Sequence, residues 1–226
     1  MNILVIAAHP DDEVLGCGGT IAKLSREGHS VFIAILGEGV TSRFEKRDQA
    51  DPKLVQALQD CSRKVGKILG VKDLAFYELP DNRFDTVPLL DIIKPIEKLI
   101  LDLQPQVVYT HHSGDLNIDH SIINRAVLTA TRPPATPTVK TVYAFEVVSS
   151  SEWSFQSLNP VFHPNTFINI NETLKIKIDA LKIYESEMRS FPHPRSSKAI
   201  ISSAQRWGSV AGIEAAEPFE LIREVR

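Results

Sequence analysis

The chain has 226 residues, a length typical of one globular domain, and we expect residues 1–226 to form a single domain. Its hydrophobic fraction of 43% and charged fraction of 23% exclude a disordered chain, a collagen-like chain and a coiled coil. The 25 Lys and Arg residues against 28 Asp and Glu residues give a net charge of −3, so no broad basic face is predicted. We therefore expect a small-molecule partner and no nucleic acid.

Two features bear on the compartment. Cys17 and Cys61 are too few for a disulfide framework, which indicates a reducing environment. The apolar start of the chain is only eight residues long and runs into His9, so no signal peptide is predicted. No run of about 20 apolar residues could span a bilayer. These features predict a cytoplasmic protein, and they leave open whether it forms a homo-oligomer.

Apolar runs of strand length alternate with segments of helical periodicity. We predict strands, in chain order, at Ile3–Ala8, Ser30–Leu36, Leu74–Leu79, Gln106–His111, Val139–Val148 and Thr166–Ile170. The predicted helices are Glu13–Glu27, Asp51–Leu69, Leu89–Leu103, Asp119–Thr131 and Glu172–Glu187. This alternation predicts an α/β fold with a largely parallel sheet of about six strands flanked by helices. The region from Phe191 onward does not continue it, and we expect a C-terminal cap of helix and loop there.

Two polar clusters follow predicted strands, at the ends where open α/β sheets bind ligands. One is His9-Pro10-Asp11-Asp12-Glu13, and the other is the stretch from Thr110 to His120. Three adjacent carboxylates repel one another, and a helix N-terminus would offset this by about 0.3–1 kcal/mol per anion. A well-capped helix is thus one interpretation of the first cluster, but it does not explain the histidine.

A divalent metal would account for both the carboxylates and the histidine. His9 and Asp12 are three residues apart across a strand-to-helix turn, and His120 suits best as a third ligand because it begins a helix after a neighbouring strand. Two imidazoles and one carboxylate form a typical catalytic zinc site, although other divalent metals remain possible. Asp119 could orient a ligand, and Asp11 could accept a proton from a metal-activated water.

The motif Ala8-His9-Pro10-Asp11-Asp12-Glu13, followed by Gly16-Cys17-Gly18-Gly19, resembles the signature of the PIG-L/LmbE-like family of zinc-dependent N-acetylglucosaminyl deacetylases. Asn117-Ile118-Asp119-His120 and Ala216-Glu217-Pro218-Phe219 support the resemblance, which covers nearly the whole chain. It implies a Rossmann-like sandwich, zinc bound by His9, Asp12 and His120, and Asp11 as the general base. The implied activity is removal of the acetyl group from an N-acetylated amino sugar or its conjugate.

One position departs from the commonest family pattern. Many members carry a histidine two residues before the Asp-His pair, where this chain has Asn117. An asparagine can donate a hydrogen bond to an oxyanion but cannot act as a general acid. Either Asp11 protonates the leaving amine, or another histidine does so. His193, between two prolines, is the candidate, with His111 and His112 as alternatives.

Three residues in loops after strands are candidates for substrate contact. Arg83 could hold a sugar hydroxyl or a phosphate, and so could Arg43, although each could equally be an exposed turn arginine. Trp153 could stack on a sugar ring or be part of the core.

Two other functions remain open. One is a metal-dependent amidase that acts on another sugar conjugate. The other is a non-catalytic module that binds a sugar or a nucleotide. The glycines from Gly16 to Gly19 lack a phosphate-loop lysine and follow acidic residues that would repel a pyrophosphate, so close packing of helix on sheet is the favoured interpretation.

Overall fold

A seven-stranded sheet flanked by helices forms the part of the chain that the structure describes, residues 1–133, 138–155 and 160–226 of a computed structural model. The strands are β1 (Asn2–Ala7), β2 (Ser30–Gly37), β3 (Asp73–Leu79), β4 (Val107–His111), β5 (Thr141–Phe145), β6 (Thr166–Asn169) and β7 (Ala216–Glu224). The helices are α1 (Asp12–Arg26), α2 (Pro52–Leu69), α3 (Leu89–Leu103), α4 (Ile118–Ala130), α5 (Leu174–Leu181) and α6 (Ser197–Ala211). Within these described ranges, no helix has the length and apolar character needed to cross a membrane.

The sheet is largely parallel, which confirms the predicted α/β class. The strand order is β3-β2-β1-β4-β5-β7-β6. The pairs β1–β2, β1–β4, β2–β3 and β4–β5 are parallel, whereas β7 runs antiparallel to both β5 and β6. The chain reverses its direction of winding between β1 and β4. In open sheets of this class the crevice outside the carboxyl ends at such a reversal is where ligands bind.

The C-terminal region, predicted to be a cap, also contributes a strand to the sheet. Residues 191–196 form turns, as expected, but α6 and β7 follow them and β7 lies inside the sheet. Pro218 and the charged residue Glu217 obscure the strand pattern, because proline removes a ladder hydrogen bond and is rare inside strands. Phe219 nevertheless pairs with Phe145 and is fully buried.

β1 is buried on both faces, and its side chains join two hydrophobic cores. Ile3, Val5 and Ala7 belong to the core that α1, α2 and α5 cover. Leu4 and Ile6 belong to the core that α3 and α4 cover. Each fully buried side chain of this kind contributes about 1.5–3 kcal/mol, so the end of β1 is a firm base for the turn that follows it.

α1 packs very close to the sheet because of its glycines. A Cβ atom on Gly16 would lie 2.2 Å from the Phe145 ring, so a larger residue there would have to displace the ring. The helix is interrupted at Cys17, and Glu217 accepts hydrogen bonds from the freed N–H groups of Gly19 (2.9 Å) and Thr20 (2.7 Å). The glycine-rich stretch is therefore used for packing of helix on sheet.

Candidate active site

The turn between β1 and α1 is held by its own side chains. The His9 N–H donates to Asp12 Oδ2 (2.8 Å), and the Asp11 N–H donates to Glu13 Oε2 (3.0 Å). Asp11 has a φ of 105°, which is uncommon for a residue other than glycine. Backbone strain of this kind costs about 1–3 kcal/mol and clusters at functional sites.

Glu13 connects this turn to the segment that follows α5. Its Oε1 accepts a hydrogen bond from the Tyr184 hydroxyl (2.7 Å), which lies 2.9 Å from Ser62 Oγ on α2. Burial raises the pKa of Glu13 to about 7, against the opposing effect of the Tyr184 hydrogen bond. The Glu13 carboxylate that accepts the Asp11 N–H is thus itself held by a buried hydroxyl.

Three buried side chains bring nitrogen and oxygen donors together at this turn. Asp12 Oδ2 lies 3.3 Å from His9 Nδ1 and 3.2 Å from His120 Nε2. The donor atoms of the three residues all lie within 4.8 Å of one another. Both ring nitrogens of His120 are buried, and each lies 3.2 Å from a carboxylate oxygen, Nε2 from Asp12 and Nδ1 from Asp115, but neither contact among the described residues has the geometry of a hydrogen bond. A buried nitrogen without a well-formed hydrogen bond is available to a ligand. Two imidazoles and one carboxylate therefore fit a divalent cation.

The electrostatics of these groups also favour positive charge between them. Burial opposes ionisation of Asp12, but His120 and His9 outweigh it and lower the pKa of Asp12 well below its usual value. Burial likewise opposes the charged form of His120, but Asp12 and Asp115 raise its pKa to about 9. A proton or a metal ion can supply the positive charge that these buried carboxylates require.

Asp119 contacts the imidazole of His9. His9 Nε2 lies 3.0 Å from Asp119 Oδ2 and 3.2 Å from Asp81 Oδ1, which makes these three residues a second group that could hold an ion. The Asp119 carboxylate, however, already accepts the backbone N–H groups of Asn82 (2.6 Å) and Phe84 (3.0 Å). A carboxylate fixed in this way suits a partner that orients a metal-binding histidine.

The two histidines at the end of β4 have partners outside the crevice. His111 Nε2 accepts the Ala8 N–H (2.8 Å), and its ring stacks on His120 with centroids 4.0 Å apart. Burial and the nearby His120 lower the pKa of His111 well below its usual value, so its ring is neutral. His112 Nδ1 lies 2.7 Å from Glu220 Oε2 on β7. Both rings lie at the start of the segment that joins β4 to α4, the helix that carries His120.

A crevice of about 240 Å³ opens over these groups, and most of the predicted site residues line it. Those that line it are His9, Asp11, Asp12, Arg43, Asn117 and His120. Asn117 Oδ1 accepts the Asp119 N–H (2.9 Å) as the N-cap of α4. Its Nδ2 has no partner among the described residues, so this amide can donate to a ligand. A larger groove of about 800 Å³, with Thr41 in its lining, contains none of the predicted site residues.

Besides Asp119, which lies behind His9, three predicted catalytic or substrate-contact residues do not line this crevice. The His193 ring packs edge-on against Trp153, with centroids 5.5 Å apart, and its Nδ1 accepts the Arg195 N–H (3.1 Å). Arg83 is exposed on the loop after β3. The roles of His193, Trp153 and Arg83 therefore stay predictions.

The crevice also contains charged residues that the sequence did not suggest. Arg195 Nη1 donates to Asp11 Oδ2 (2.6 Å), and Arg43 Nη2 donates to Glu187 (2.6 Å). Burial raises the pKa of Asp11 well above its usual value, and Arg195 opposes this effect. Asp81, at the end of β3, could have been found from the rule that ligands bind at strand ends. Arg195 lies 184 positions from Asp11, and no local pattern indicates the contact.

Fold and site together define an α/β protein with a candidate metal centre in the crevice at the carboxyl ends of its strands. Residues 4–131 match the family described as "PIG-L: GlcNAc-PI de-N-acetylase", and the chain belongs to this family. It is 28% identical over 191 residues to the uncharacterized deacetylase YaiS of Escherichia coli strain K12, with 82% of this chain and 91% of YaiS covered.

Solved structures of two different enzymes share the fold. The N,N'-diacetylchitobiose deacetylase of Pyrococcus horikoshii matches with a TM-score of 0.78 at 19% identity, covering 98% of this chain and 84% of the other. The 4-carboxy-2-hydroxymuconate hydratase GalB of Pseudomonas putida KT2440 matches with a TM-score of 0.75 at 20% identity, covering 100% and 97%. The same fold thus carries different reactions, and the function has to be argued from the site.

Proposed function

We propose that this protein is a metal-dependent deacetylase that removes the acetyl group from an N-acetylated amino sugar or its conjugate. The family match and the deacetylase relative support a deacetylase of N-acetylated sugar conjugates. The observation that carries the metal-dependent mechanism is the buried cluster of His9, Asp12 and His120 beside Asp11 in one crevice. Zinc is the favoured ion for two imidazoles and one carboxylate, and other divalent ions remain alternatives.

His9, Asp12 and His120 would hold the ion, which when bound polarises the acetyl carbonyl and lowers the pKa of water. Asp119 keeps the His9 ring in place through its contact with Nε2. The crevice is slightly smaller than a pocket for a drug-sized ligand, which suits one sugar ring with its acetamido group. Arg83 and Trp153 are proposed to contact the part of a conjugate that extends beyond the crevice, and Arg43 a group inside it.

Asp11 is proposed to move the proton that the reaction requires. Its Oδ2 is engaged by Arg195, whereas its Oδ1 has no hydrogen-bond partner in the described part of the chain. Oδ1 accepts a proton from the attacking water as the water oxygen forms a bond to the carbonyl carbon. The π electron pair of the C=O bond moves to the carbonyl oxygen in this step. That pair then re-forms the C=O bond as the C–N bond breaks with its electron pair going to nitrogen, and Asp11 returns the proton to that nitrogen. The products are acetic acid, which loses its proton to solvent and becomes acetate at neutral pH, and the free amino sugar.

Asn117 is proposed to stabilise the oxyanion, because its Nδ2 faces no protein acceptor in the described residues and the residue lines the crevice. A single donor of this kind contributes about 2.7–4 kcal/mol to the transition state. We assign both proton transfers to Asp11, since His193 contacts Trp153 and does not line the crevice. This assignment removes the need for a separate histidine as general acid.

The experiment that tests this function is release of acetate from a panel of free, nucleotide-linked and lipid-linked N-acetyl sugars. Zinc-loaded protein is expected to release acetate and free amine in equal amounts from at least one of them. Dialysis against a chelator should abolish the release, and added zinc should restore it. Binding of an N-acetyl sugar by zinc-loaded protein without acetate release would contradict the proposal and indicate a non-catalytic binding module.

A further inference from the structure

Arg195, in the turns between α5 and α6, places its guanidinium at the crevice. Its Nη1 donates to Asp11 Oδ2 (2.6 Å), and its Nε donates to Ser149 Oγ (2.8 Å). The Arg195 side chain is 21% exposed and that of Asp11 only 4%. Because two donors of one planar guanidinium have separate partners, the orientation of the group is fixed.

The positive charge of Arg195 acts mainly on Asp11. Among the described residues, the other carboxylate within 4.0 Å of the Arg195 guanidinium is that of Glu187, which lies 3.7 Å from Nη1. Glu187 already has its own cation, because Arg43 Nη2 donates to both of its carboxylate oxygens at 2.7 and 2.6 Å. Asp11 is therefore paired with Arg195, and Glu187 with Arg43.

Asp11 depends on Arg195 for the position of its carboxylate. Its backbone N–H is held by Glu13, but across residues 1–133, 138–155 and 160–226 only Arg195 donates a hydrogen bond to the carboxylate. We propose that Arg195 is a positioning residue, which holds Oδ2 of Asp11 so that Oδ1 is presented to the reacting amide. This inference rests on the proposed deacetylase function.

The turns around Arg195 are organised to hold it in place. The Arg195 N–H donates to His193 Nδ1 (3.1 Å), and the His193 ring packs on Trp153. The next residue, Ser196, is the N-cap of α6, because its Oγ accepts the Ala199 N–H (3.1 Å). His193 thus has a structural partner in Arg195.

The kinetic test compares three substitutions at this position. Arg195→Met removes the charge at similar length and should lower kcat by about 10²-fold, the cost of a misplaced reacting group, with KM within about twofold of the wild type. Arg195→Lys keeps the charge but cannot make both hydrogen bonds, so its kcat should lie between that of the wild type and that of Arg195→Met. In Arg195→Ala, millimolar guanidinium should restore part of the lost kcat, which a purely structural defect would not allow.

Arg189→Ala is the matched control, because the guanidinium of this exposed arginine of the same segment donates, among the described residues, only to the backbone carbonyls of Ser186 and Met188. Its backbone N–H lies 3.5 Å from the Arg195 carbonyl oxygen, a contact that the substitution keeps. Its kcat should equal that of the wild type, with or without guanidinium. A wild-type kcat for Arg195→Met, or a loss confined to KM, would overturn the positioning role.

A second measurement tests the contact independently of activity. In chemical unfolding of zinc-loaded protein, Arg195→Met should lower the midpoint of the wild type, because it leaves the buried Asp11 charge unpaired. The same substitution should change the midpoint of Asp11→Asn far less. Equal shifts in both backgrounds would overturn the proposal. If the wild type releases no acetate from any sugar, the proposed function fails. The difference between the two midpoint shifts still decides whether Arg195 holds the Asp11 carboxylate.

Discussion

The turn after β1 and the C-terminal region contribute to the crevice in different ways. The range His9–Glu13 places four ionisable side chains within five consecutive residues. The range from Tyr184 to Glu217 instead contributes single side chains that are far along the chain from the turn they contact. The Tyr184 hydroxyl donates to Glu13, and Arg195 Nη1 donates to Asp11. The first region supplies the candidate reactive groups, and the second supplies the groups that hold them.

This difference orders the expected effects of substitution. Loss of a group in the first region removes a chemical role, whereas loss of a group in the second changes only the position of a group that is still present. The four predictions below run from the largest effect to the smallest, and the first and the last of them test this division directly.

Asp11→Asn should have the largest effect on turnover among variants that keep the metal. The amide keeps the shape of the carboxylate but cannot accept a proton, so kcat should fall by about 10²–10⁴-fold. Zinc content should remain that of the wild type, as measured by elemental analysis. Wild-type turnover in the zinc-loaded variant would move the base away from the turn after β1.

Asn117→Ala should reduce turnover by about 10²–10³-fold through loss of the oxyanion donor. The substitution also removes the N-cap of α4, which costs about 1 kcal/mol of stability. Asp51→Ala is the control for that effect, because Asp51 caps α2 by accepting the Lys53 N–H (2.9 Å) and does not line the crevice. Both variants should lose similar stability, and only Asn117→Ala should lose activity. Equal kcat values in the two would exclude the oxyanion role.

Asp119→Asn should weaken zinc binding by about 10–100-fold, because it disturbs the partner that orients His9. Competition with a chromophoric chelator measures the affinity directly. An unchanged affinity would mean that Asp119 is not needed to hold the His9 ring, whose Nε2 also lies 3.2 Å from Asp81 Oδ1.

His193→Ala should have the smallest effect, a change in kcat of about twofold, typical of a contact at the protein surface. The variant loses the ring that packs on Trp153 and accepts the Arg195 N–H, but no group that lines the crevice. A loss of about 10²-fold with zinc still bound would instead identify His193 as the general acid. The C-terminal region would then supply a reactive group, and the division between the two regions would fail.

The parts of the fold and site that could be predicted are those with a local signature. The α3 helix runs over Leu89–Leu103 as predicted, because apolar periodicity and a following proline mark its end. The crevice-lining residues of the turn after β1 could be located because they follow a buried strand, at the edge where such sheets bind ligands.

The parts that could not be predicted depend on contacts between distant residues. Helix α5 ends at Leu181, short of the predicted Glu187, and the turns that follow bring Tyr184 and Glu187 to the site. No periodicity in the sequence marks that change. The pairing of Arg195 with Asp11 likewise requires the completed fold, since the two residues meet only when the C-terminal turns lie over the β1 end.

The central claim of this account is that His9, Asp12 and His120 form one metal site. The most direct test is elemental analysis of the purified wild type and of the alanine variant at each of these positions. His112→Gln is the control, because His112 pairs with Glu220 outside the crevice. The wild type and the control should hold about one zinc ion per chain, and each ligand variant should lose it. Full zinc content in all three ligand variants would contradict the claim.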